Sequence, residues 1–112
     1  MDVTPGQLRK MFDALPGVVE GPCYGTPGFR VKGKLIARLW EDNKTLVVRI
    51  DPTERDVLID VEPAVYFLTD HYRGHPWILI NLKKIKAADL KRRLETAWRA
   101  RAPKPLISKR DR

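Results

Sequence analysis

Two short stretches, Thr4-Pro5-Gly6-Gln7 and Asp51-Pro52-Thr53-Glu54, carry the same helix-start signature. Each has a capping side chain, a proline at the first helical position and a Gln or Glu three residues after the cap. Between them, residues 35–40 and 46–50 alternate with period two rather than 3.6. The chain is therefore expected to run from a helix through strands into a second helix.

The first helix is predicted from about Thr4 to Leu15. Leu8, Met11, Phe12 and Leu15 form its buried stripe, and Pro16-Gly17 stops it. GPCYGTPGF (21–29) holds too much Gly and Pro for a regular element, so a short edge strand with turns is expected. FRVKGKLIARLW (29–40) reads as a hairpin turning at Lys32-Gly33. Alternation puts Leu35, Ala37 and Leu39 on one face, with Ile36, Arg38 and Trp40 on the other. After the turn EDNK (41–44), Leu46, Val48 and Ile50 share a face opposite Val47 and Arg49.

A short helix over about 52–60, strands at 65–68 and 77–82 and a helix from about Ala87 to Arg101 follow. Leu90, Leu94, Ala97 and Trp98 give the last helix its apolar stripe. Residues 103–112 read as a mobile basic tail beyond a domain of residues 1–102. The order α-β-β-β-α-β-β-α predicts an α+β two-layer sandwich, an antiparallel sheet with the terminal helices on one face.

At 112 residues the chain fits one compact domain. A single cysteine, Cys23, leaves no internal disulfide and fits a reducing compartment. No apolar run nears the roughly 20 residues that span a bilayer, and the N-terminus shows no secretory apolar region, so a cytoplasmic location without a membrane partner is expected. Charge is uneven. Residues 1–82 hold ten Lys/Arg against eleven Asp/Glu; residues 83–112 hold twelve against three, so the excess lies at the C-terminal end. Such a block attracts polyanions.

HYRGHPWILI (71–80) spaces His71 and His75 four apart. A metal pair at that spacing needs a helix, which Gly74 and Pro76 oppose, and no nucleophile lies nearby in sequence. The stretch reads as a loop launching a strand, with a polar contact to a ligand as the alternative. GTPGFRVKGK (25–34) departs from a phosphate loop because Leu35 stands where Ser or Thr is needed and a strand follows. Cys23 has no sequence neighbour that would activate it. Asp51, Glu54, Asp56, Asp60 and Glu62 read as caps and a solvated face. No cofactor is expected.

The run G-T-P-G-F-R-V-K-G-K-L-I-A (25–37), Asp51-Pro52 with Glu54-Arg55, HYRGHPWILI and A-W-R-A-R-A-P-K (97–104) resemble the MmcQ/YjbR family. The resemblance implies a fold similar to the frataxin/CyaY sandwich and DNA binding of the double-wing kind. It carries over no catalytic residue. Frataxins bind iron through an acidic ridge on the first helix and its neighbouring strand; here that helix and the residues leading into it have only Asp2 and Asp13, beside Arg9 and Lys10, which does not support iron delivery.

The expected function is thus a non-enzymatic nucleic-acid-binding domain, with DNA as partner and RNA or single strands as alternatives. Lys83, Lys84, Lys86, Lys91, Arg92, Arg99 and Arg101 would meet phosphates, and the hairpin residues Arg30, Lys32 and Lys34 form a second patch. Arg38 and Arg49 join Trp40 and Trp77 on a sheet face where bases could stack. A protein-interaction or homodimer module using that face is the alternative.

Overall fold

A computed structural model describes residues 3–112. Helix α1 (Pro5–Asp13) starts as expected. Thr4 Oγ1 accepts a hydrogen bond from the Gln7 N–H, and Gln7 Oε1 accepts one from the Thr4 N–H. Strands β1 (Val18–Cys23), β2 (Thr26–Val31), β3 (Lys34–Leu39) and β4 (Thr45–Arg49) follow. Then come α2 (Pro52–Val61), β5 (Tyr66–Phe67), a 3-10 turn (Asp70–Tyr72), β6 (Trp77–Asn81), α3 (Ala87–Arg101) and α4 (Lys104–Arg110). The strands make one antiparallel six-stranded sheet in the order β1-β2-β3-β4-β6-β5.

Four strands, not three, separate the first two helices, because residues 18–31 form a full hairpin. Its turn, Tyr24-Gly25, holds both residues at positive φ (52° and 82°), as does Lys32-Gly33 (50° and 78°). Two-residue turns of this hand match the twist of the flanking strands. The prolines are tolerated because Pro22 and Pro27 stand opposite each other, one pair beyond the closing pair Cys23–Thr26. That position exchanges no ladder hydrogen bonds in such a hairpin.

The alternation expected for β3 is broken by a bulge. Phe29 pairs with Ala37 but Arg30 pairs with Leu35, leaving Ile36 without a partner. Ile36 and Ala37 then both face the helix layer. Leu35 turns to the opposite face beside Arg38, reversing the assignment made from strict alternation.

The main core lies between the sheet and the α1/α3 layer. Ala37, Leu39, Leu46, Val48, Ile78 and Ile80 meet Leu8 and Phe12 of α1 and Leu90, Leu94, Ala97 and Trp98 of α3. Phe12 stacks on Phe29 with ring centroids 3.9 Å apart. Trp98 is fully buried, and its indole N–H donates to the Pro16 carbonyl at 2.9 Å, tying α3 to the turn after α1.

Residues 103–112, expected as a mobile tail, instead include α4. Ala102 and Pro103 are extended and end α3; Pro105 sits in the first turn of α4, where its missing N–H costs no helical bond. Leu106 and Ile107 pack on the core. Arg110 donates to the Ala14 carbonyl and pairs with Glu95, while Arg99 bridges Glu95 and Asp111.

Candidate functional site

On the sheet face away from α1 and α3 lies a cavity of about 580 Å³. Its floor is Cys23, Leu35 and Val47. Tyr24, at the tip of the β1–β2 turn, forms one wall; His71, Tyr72 and His75 of the segment before β6 form another; Arg38 and Trp77 complete it. Gly28 lets Cys23 and Leu35 close over β2 to form the floor, since a β-carbon there would lie 2.7 Å from that of Cys23 and 3.3 Å from Leu35 Cδ1.

Arg38 organises the walls. Its Nε donates to Thr26 Oγ1 at 3.2 Å, Nη1 to Tyr72 Oη at 2.9 Å and Nη2 to Glu41 at 3.0 Å. Its guanidinium also stands 5.6 Å from the Tyr24 ring centroid. A guanidinium has five N–H groups, so each terminal nitrogen keeps one N–H beyond these bonds. The Arg38 side chain is only 12% exposed, whereas Glu41 is 70% exposed. The exposed carboxylate is screened by water and offsets little of the positive charge.

The far wall is held from α2. Arg55, buried at 8% exposure, donates from Nη1 to the His75 carbonyl at 2.7 Å. The Tyr72 and His75 N–H groups close turns onto Thr69 and Tyr72. His71 meets Tyr72 edge to face at 4.9 Å. The histidines thus sit in a loop as expected, beside Arg38 and Trp77. Residue spacing could not reveal Tyr24 and Tyr72 as wall residues, because strand pairing and the Arg38–Tyr72 bond bring them together. Among the described residues no group of three or more His, Cys, Asp or Glu is placed to hold a metal ion; Asp2 lies outside them.

The expected basic residues do not share one surface. Lys83 and Lys84 are exposed on a turn closed by Asn81, whose side chain accepts from the Lys83 N–H, and exposed Lys86 precedes α3. This turn lies at the Thr45–Asn81 end of the sheet, near Lys44 and half-buried Trp40. Lys32, Lys34, Arg49 and Arg101 lie at the opposite end. Burial, and then the like charge of Arg101, pull the Arg49 guanidinium below its usual pKa.

Other cations are engaged internally. Arg30 Nη1 donates to the Pro22 carbonyl, Arg92 lies 3.6 Å from Asp89, and Arg99 pairs with Glu95 and Asp111. Lys91 is exposed beside a groove lined by Lys10, Glu95 and Arg110. Trp77 lines the cavity; Trp40, just after β3, stands at the Thr45–Asn81 end of the sheet.

Fold and site define a two-layer α+β sandwich with a ligand-sized cleft on the sheet face opposite its main helix layer. The YjbR family model matches residues 13–100, and the chain belongs to that family. Uncharacterized proteins of Mycobacterium tuberculosis and Mycobacterium bovis are 44% identical over 50 residues; the match covers 45% of this chain and 39% of each of theirs. The crystal structure of protein DR2400 of Deinococcus radiodurans, described by the family-model domain DUF419, superposes with a TM-score of 0.74 at 23% identity. It covers 85% of this chain and 75% of that one, a likeness of fold.

Proposed function

We propose that this chain is a basic, cytoplasmic, non-enzymatic nucleic-acid-binding domain of CyaY-like build that holds DNA mainly through phosphates. The observation that carries this is the turn into α3. Lys83, Lys84 and Lys86 are exposed within four residues, and none makes a carboxylate ion pair among the described residues. Exposed lysines that hold no carboxylate can neutralise phosphates, which releases the counterions condensed on the nucleic acid. Arg92 and Arg99 already face carboxylates, so they contribute less than their charge suggests. Lys32 and Lys34 at the other end of the sheet form a second contact.

The test is fluorescence anisotropy of labelled duplex and single-stranded DNA from low to physiological salt. Each phosphate neutralised on duplex contributes about −0.9 to the log–log salt slope. Replacing Lys83, Lys84 and Lys86 by Gln should therefore flatten the slope by about 2 to 3. Absence of binding to either strand form at low salt would overturn the reading. Sedimentation over a range of concentrations separates the two oligomeric states expected from the sequence, a monomer and a weak homodimer, the latter joined through the cavity face.

A further inference from the structure

We propose that the cavity on the open sheet face receives a single unpaired nucleobase, so that this domain prefers single strands to duplex. The inference rests on the nucleic-acid reading and adds the site at which a base is bound.

A base is a flat ring with an apolar face and a polar edge, and the cavity offers both kinds of contact. Leu35 and Val47 supply an apolar floor, and Trp77 adds an aromatic surface. Tyr24 is 90% exposed at the rim, its ring 5.6 Å from the Arg38 guanidinium. It occupies the left-handed backbone region at φ 52°, which is unfavourable for a bulky residue. Lys32 does the same in the second hairpin, so the turn type accounts for the backbone, not for an aromatic ring presented to water.

Polar groups converge from the other side. Arg38 retains N–H groups beyond its three side-chain partners, and His71 and His75 stand exposed along the wall. These can meet the acceptors of a base edge or the adjoining phosphate. A volume of about 580 Å³ lies within the usual range for small-molecule pockets and exceeds what one base needs. A base stacked inside a duplex cannot enter, because its faces are occupied by neighbours and its edge by its partner.

The test uses a labelled oligo-deoxythymidine of about 12 nucleotides, within the site sizes known for single-strand binders. The matching duplex is titrated in parallel, with tryptophan fluorescence followed in the full chain and in Trp77→Phe. The expected result is tighter binding of the single strand, with quenching that is absent in Trp77→Phe. Tyr24→Ala should weaken single-strand binding about tenfold or more, while Tyr24→Trp retains it and duplex binding is unchanged. Tyr24 contributes nothing to the core, so its replacement tests the site and not the fold.

Single-strand binding without Trp77 quenching and indifferent to Tyr24→Ala would overturn the base site and leave the phosphate reading standing. Equal weakening of single strand and duplex by Tyr24→Ala would also overturn it. Failure of both strand forms to bind at low salt would overturn the phosphate reading and the base site together.

Discussion

The carbonyl of His75 accepts two hydrogen bonds, one from Arg55 Nη1 at 2.7 Å and one from the Trp77 N–H at 2.8 Å. The first reaches across from α2. It anchors the wall of the cavity to an element that packs on β5 and β6. Hydrogen bonds from a charged donor contribute more than neutral ones.

Arg55→Ala is therefore expected to cost about 1.5–3 kcal/mol in urea denaturation. Amide exchange should accelerate first around residues 70–77, before the central strands. Uniform acceleration throughout the sheet would show that Arg55 supports the whole fold, not this loop.

Gly28 tests the close approach of β1 and β3 over β2. A β-carbon there meets another β-carbon, that of Cys23, which cannot swing aside by a change of rotamer. Gly28→Ala should destabilise by about 1–3 kcal/mol, the usual cost of overpacking. Thermal unfolding measures it, and a stability equal to the parent would place the two strands further apart than described.

Trp98→Phe removes the bond to the Pro16 carbonyl and part of a fully buried ring. A loss of about 1–3 kcal/mol is expected. The emission spectrum should shift to the red, because Trp40 and Trp77 are only half-buried. An unshifted spectrum would contradict the burial of Trp98.

Glu95 gives the C-terminal helix an acid dependence. Its hydrogen bond from Arg110, then that from Arg99, hold its carboxyl below the usual carboxylate pKa. Asp111 is lowered in the same direction, chiefly by the hydrogen bond from Arg99. The unfolded chain thus binds protons at a higher pH than the folded one. The stabilisation is complete above the ordinary pKa of about 4.3 and is lost as pH falls through the lowered folded value. Amide protection in α4 should fall in that window, and Glu95→Gln should remove most of the dependence. An identical acid profile in that variant would assign the effect to other carboxylates.

Much of the architecture was legible because it rests on local chemistry. Thr4-Pro5 and Asp51-Pro52 cap helices through neighbouring atoms, and Lys32-Gly33 supplies the left-handed pair that its turn requires. The stripe from Leu90 to Trp98 has helical spacing in the sequence itself. Tyr24-Gly25 carried the same kind of turn signal, but the surrounding prolines obscured it. They are harmless only in the register that the hairpin adopts.

The site was less legible because its members meet only through pairing. Arg38 and Tyr72 are far apart in sequence yet bonded at 2.9 Å, and the need for glycine at position 28 arises only because Cys23 and Leu35 close over it. Counting charges overstated the free basic surface, since Arg99, Arg110, Glu95 and Asp111 neutralise one another after α4 folds back.

The sequence by itself determined where helices begin, which hairpin turns are available and which residues are apolar, because each depends on interactions within a few residues. Only the tertiary structure decided that Ile36 faces the helices and Leu35 the cavity, that α4 docks, and which cations stay free. Those outcomes depend on strand register and on contacts between distant segments, where the energy of pairing and burial overrides local alternation.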